Sequence, residues 1–88
     1  MHESSLLKDL LSKVKTIAEE NGADKVIGVK VKLGALAQIS PDHLREHFDI
    51  AVAGTIAEGA RLEVEVLQDN FDPHAQDIML DSIEVAEG

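Results

Sequence analysis

The sequence predicts a two-layer α+β sandwich, with two helices packed on one face of a small, about three-stranded mixed sheet and elements in the order α-β-α-β-β. Three observations lead there. Apolar residues recur at helical spacing near the start of the chain, two later segments alternate apolar with charged residues, and a Ser-Pro pair opens a second helical stripe between them.

Leu6, Leu7, Leu10, Leu11, Val14, Ile17 and Ala18 fall on one side of a helix and leave Lys8, Lys13 and Lys15 off it. This helix is expected to begin just after Glu3, with a hydroxyl of Ser4 or Ser5 on the free N–H groups and Gly22 closing it in a left-handed conformation. From Lys25 to Leu33 the period becomes two, which places Ile27, Val29, Val31 and Leu33 on the buried face and Lys30 and Lys32 on the other. Ser40 followed by Pro41 starts the second helix, because proline loses nothing at the first helical position. Leu44, Phe48, Ala51 and Val52 supply its buried side as far as Gly54. Leu62, Val64 and Val66 alternate with Glu63 and Glu65 in a second strand over about Arg61 to Leu67. Residues 68–77 have loop chemistry, and strand character resumes from Ile78 to Val85. The alternation there slips between Leu80 and Ile83, as a bulge would make it do. No strand order follows from these patterns.

A chain of 88 residues is expected to form one domain, 1–88, without room for a second core. Only 2% of it is aromatic, so its core is built from aliphatic residues with Phe48 and Phe71 as the large rings. The absence of cysteine excludes disulfides, thiolate zinc sites and a cysteine nucleophile. No apolar run reaches the roughly 20 residues of a membrane helix, and the start lacks a signal-peptide pattern, so a cytoplasmic protein off the membrane is expected. A net charge of -9 argues against nucleic acid, whose phosphates need clustered Lys and Arg. The charge is uneven: residues 33–88 hold two Arg against twelve acids, an acidic surface that suits cations or a basic partner. With no Ser-His-Asp order, nucleophile elbow or paired-carboxylate cleft, an enzyme is not expected.

The chemistry concentrates at Met1-His2-Glu3. The Met1 amine, the His2 amide nitrogen and the His2 imidazole Nδ1 can close fused chelate rings around one metal, in the planar nitrogen geometry that nickel(II) and copper(II) favour. Glu3 can add a fourth donor through its amide or its carboxylate. Any chain that begins Met-His offers these atoms, so the pattern alone also fits a terminus without a role. His43 and His47, four apart on the second helix, form a secondary candidate pair for one metal, and side chains beside the core stripe are the plainer reading. His74, between Asp72 and Asp77, has donor types but no predicted rigid element to fix them. Gly34, Gly54 and Gly59 sit at element boundaries where positive φ is cheap.

Met1-His2-Glu3 with Ser5-Leu6, the run Val29-Lys30-Val31-Lys32-Leu33-Gly34-Ala35-Leu36, Ser40-Pro41, the segment Gly54-Thr55-Ile56-Ala57-Glu58-Gly59-Ala60 leading into Leu62-Glu63-Val64, and the closing Ile83-Glu84-Val85 together resemble the HypA/HybF family of hydrogenase nickel-incorporation proteins. The resemblance implies a metallochaperone that binds nickel at Met1, His2 and Glu3. It also implies delivery to the large subunit of [NiFe] hydrogenase with a nickel-handling GTPase as partner, and service to urease in some members. The family carries a zinc-ribbon module with two Cys-x-x-Cys pairs between the second and last strands. Here residues 68–77 stand in that place and no zinc is expected; a natural variant and a deleted form both fit. A metal-free interaction module or regulatory paralogue, which kept the partner surface but lost nickel delivery, is the alternative. A bare strand edge could also support a homodimer.

Overall fold

The computed structural model describes residues 3–37 and 39–86, with the side chains of 7–37 and 39–86. Its elements are α1 (Glu3–Glu20), β1 (Lys25–Leu33), α2 (Pro41–Val52), β2 (Arg61–Val66) and β3 (Ile78–Ala86), in the predicted order. The strands form one mixed sheet ordered β2-β1-β3, with β1 parallel to β2 and antiparallel to β3. The strand next to the helix in sequence thus becomes the centre of the sheet.

The α1 stripe buries Leu7, Leu10, Val14 and Ala18. Glu3 is itself the first residue of α1, so the backbone of Ser4 and Ser5 lies within its first turn, and the helix begins one residue earlier than expected. The other end behaves as expected. Gly22 has φ 64°, the Ala23 N–H donates to the Ala18 carbonyl at 3.0 Å and the Gly22 N–H to the Glu19 carbonyl at 3.1 Å. These two bonds satisfy carbonyls that a helix end leaves free. At the start of α2 the Ser40 hydroxyl accepts the His43 N–H at 3.1 Å, with Pro41 in the first helical position. Leu44, Phe48 and Val52 are buried, whereas Ala51 is exposed because it falls beyond the edge of that stripe.

Across the sheet the inward residues align as Leu62-Val29-Ile83 and Val64-Val31-Leu80. The expected bulge in β3 is present: Lys30 pairs with Ser82 and Val31 with Leu80, which leaves Asp81 without a partner and returns Leu80 and Ile83 to the core. A second register shift, between Val26 and Gly28, was not expected. It turns Ile27 outward, 40% exposed, and brings Val26 into the core in its place. Val66 also departs from its pattern at 49% exposed, since it ends an edge strand.

The segment between α2 and β2 is a built turn. Gly54 and Gly59 take φ of 80° and 78°. The Thr55 hydroxyl donates to the Val52 carbonyl at 2.7 Å and accepts the Ala57 N–H at 3.1 Å. Ala57 and Ala60 are buried, and the Ile56 carbonyl accepts the Val26 N–H at 2.9 Å, fixing the turn to the start of β1. Among the described residues no helix is long and apolar enough to cross a membrane.

Candidate metal centre

Connectivity sends both helices back along the sheet, so they start at the same pole. Asp9, Leu10 and Lys13 of α1 line one groove with His74, Asp77 and Ile78, while Ile17 and Asn21 further on line another with Ile83 and Val85. Hence α1 runs in the direction of β3, opposite to β1. The second helix leaves the end of β1 and returns, through Ile56, to its beginning. The start of α1, the start of α2 and the 68–77 loop therefore share the end of the sheet where β1 and β2 finish. The chain has four histidines. His43 and His47 lie in the first two turns of α2, His74 lies in the loop, and His2 precedes α1.

Met1 and His2 lie outside the described residues. Glu3 opens α1, and a residue at that position has no carbonyl four residues back to receive its N–H. Its amide nitrogen is consequently not committed to the helix.

The two α2 histidines do meet. Their Nε2 atoms are 2.9 Å apart, with ring centroids at 4.5 Å and planes at 75°. One ring must carry its proton on Nε2 and donate, and the other accepts with its Nε2 lone pair. Arg45 points away from them: its Nε donates to the Leu62 carbonyl at 3.2 Å and its Nη1 lies 3.3 Å from Asp42 Oδ1.

His74 is better fixed than loop composition suggests. The Asp72 carboxylate accepts its backbone N–H at 2.7 Å, and Asp69 does the same for Phe71 at 2.9 Å. The His74 Nδ1 lies 3.0 Å from Asp77 Oδ2, a contact that favours the proton on Nδ1 and leaves Nε2 as a lone-pair donor. The loop is anchored by the Gly34 N–H to the Asp77 carbonyl at 2.9 Å and the Leu36 N–H to the Ala75 carbonyl at 2.7 Å, with Ala75 buried. Gly34 is needed for this close approach and not for a positive φ; a Cβ there would collide with the Ala75 carbonyl. Among the described residues no three His, Asp or Glu side chains converge on one point. The loop's attachment to β1 has one sequence signal, the boundary glycine Gly34 just after the strand, whose role is close backbone approach and not a positive φ.

Known proteins place this arrangement in a family. Residues 1–75 match the family model described as hydrogenase/urease nickel incorporation, metallochaperone, hypA. The chain is 44% identical over 66 residues to the hydrogenase maturation factor HypA of Archaeoglobus fulgidus, covering 75% of this chain and 60% of the relative. It is 45% identical over 65 residues to that of Lawsonia intracellularis, covering 74% and 55%. With that of Methanopyrus kandleri it is 32% identical over 71 residues, covering 81% and 50%. The chain thus spans between half and three fifths of the length of these relatives. The solution structure of the Ni metallochaperone HypA from Helicobacter pylori superposes with a TM-score of 0.79 at 16% identity, over 100% of both chains, and shares the fold. With the N-terminal tripeptide inside a match that runs through both helices and β2, this chain belongs to the HypA family of hydrogenase/urease nickel-incorporation metallochaperones.

Proposed function

We propose that this protein is a cytoplasmic nickel carrier for the maturation of [NiFe] hydrogenase or another nickel enzyme such as urease, holding its cargo at Met1, His2 and Glu3. The family is one of metallochaperones, not of enzymes. The observation that supports the reading most is the family match, which begins at residue 1 and so includes the tripeptide. The Met1 amine, the His2 amide nitrogen and the His2 Nδ1 bind three positions of a plane, and the Glu3 amide or carboxylate the fourth. The partial positive charge at a helix N-terminus disfavours a bare dication. Loss of amide protons on binding lowers the charge of the complex and removes that conflict. Open axial positions let an acceptor ligand begin to coordinate before the donor releases. Partners in this reading are a nickel-handling GTPase and the large subunit of the acceptor enzyme. Residues 68–77 stand in for the zinc module within a single domain of 1–88, and zinc has no role.

The test is a nickel titration by calorimetry and d-d absorption on the chain with a free Met1 amine, beside His2→Ala and a form with one added N-terminal residue. Binding of one nickel with a planar-nitrogen spectrum, lost in both altered forms, is the expected result; equal binding by all three removes the reading. A second reading, an interaction module without metal delivery, is favoured by Phe71, which is 95% exposed on an ordered loop, at the pole that also exposes Leu36. Partner binding that survives His2→Ala but not Phe71→Ala supports it. Self-association through the free edge of β2 or β3 would appear in light scattering as a homodimer.

A further inference from the structure

We propose that His43 and His47 form a second metal site, independent of the N-terminal tripeptide, which takes copper(II) or nickel(II) as a cis pair of imidazoles. Spacing by four residues puts both rings on one side of α2. The distance between them carries the argument. An imidazole nitrogen binds a dication such as zinc at about 2.0–2.1 Å, so two such bonds at a right angle span about 2.9 Å, and at the tetrahedral angle about 3.3 Å. The two Nε2 atoms stand 2.9 Å apart in a hydrogen bond, so the helix already holds both nitrogens within the span that two bonds to one tetragonal or octahedral ion require. Binding requires both rings to turn their Nε2 lone pairs toward one point. The ring that now donates from Nε2 must carry its proton on Nδ1 instead, which frees the second Nε2 lone pair. Among the described residues no third His, Asp or Glu joins the pair, so solvent completes the coordination and the ion exchanges readily. Asp42, Glu46 and Asp49 on the same helix, against Arg45 alone, lower the electrostatic cost of a bound dication.

The experiment uses the full chain carrying His2→Ala, so that its outcome does not depend on the tripeptide. Copper(II), and then nickel(II), is added while binding is followed by calorimetry and by paramagnetic broadening of the histidine ring signals. One equivalent of copper should broaden the rings of His43 and His47 together, and either further change, His43→Ala or His47→Ala, should weaken binding at least about tenfold, because the second ligation is intramolecular. Neither side chain is in the core, so circular dichroism should be unchanged by these variants. Broadening centred on His74, or affinity that neither substitution alters, overturns the proposal.

Discussion

Gly34 packs against the backbone carbonyl of Ala75 so closely that no side chain fits between them. This contact fixes the 68–77 loop to the end of β1, with the Gly34 N–H on the Asp77 carbonyl and the Leu36 N–H on that of Ala75. Gly34→Ala should therefore destabilise the protein by about 1–3 kcal/mol, the usual effect of overpacking a filled space. Urea unfolding measures it, with the same slope expected for both proteins. A midpoint equal to that of the unaltered chain would mean that the loop moves aside without cost.

The two phenylalanines should respond in opposite ways. Phe48 is fully buried in the core, and its replacement by alanine should cost about 3–5 kcal/mol through lost burial and the cavity left behind. Phe71→Ala should stay within about 0.5 kcal/mol of the unaltered protein. Thermal and urea unfolding of the two variants side by side is a direct check.

Ser40→Ala removes the hydroxyl that accepts the His43 N–H at the start of α2. A loss of about 0.5–2 kcal/mol is expected. Ser40→Asp, which can make the same bond and adds charge at the positive end of the helix, should restore most of it.

The ion pairs on the outer face should matter little. Lys30 and Lys32 bracket Asp81 at 3.8 and 3.9 Å, all partly exposed. Asp81→Asn should change stability by less than about 1 kcal/mol, with what effect remains vanishing in high salt.

Nickel binding at the N-terminus should weaken as the pH falls. Protons compete for the Met1 amine and the His2 imidazole, whose ordinary values are about 7.7–8.0 and about 6.5, and the amide must lose a proton. Between about pH 8 and 6 the affinity should drop at least about a hundredfold. Calorimetry at three pH values measures this, and a flat profile would exclude the amine as a ligand.

Much of this is legible in the amino-acid sequence. The α1 stripe, the Ser40-Pro41 start of α2, the left-handed Gly22 and the slip between Leu80 and Ile83 all follow from residues adjacent or one turn apart in the chain. Local spacing fixes these features because the side chains that share a face are set by helix and strand geometry. The Met1-His2-Glu3 donors are likewise a property of three consecutive residues.

Tertiary structure alone decided the rest. It placed β1 between its two partners, reversed Ile27 and Val26 through a bulge, left Phe71 outside the core, and made Gly34 a point of contact with a loop about forty residues away. It also brought the starts of both helices and the histidine-bearing loop to one pole and set the His43–His47 separation, on which any metal geometry there depends. Each of these is a relation between segments remote in sequence or a fine choice of side-chain rotamer. Such relations are fixed by the packing of the whole core, which no local pattern of residues encodes.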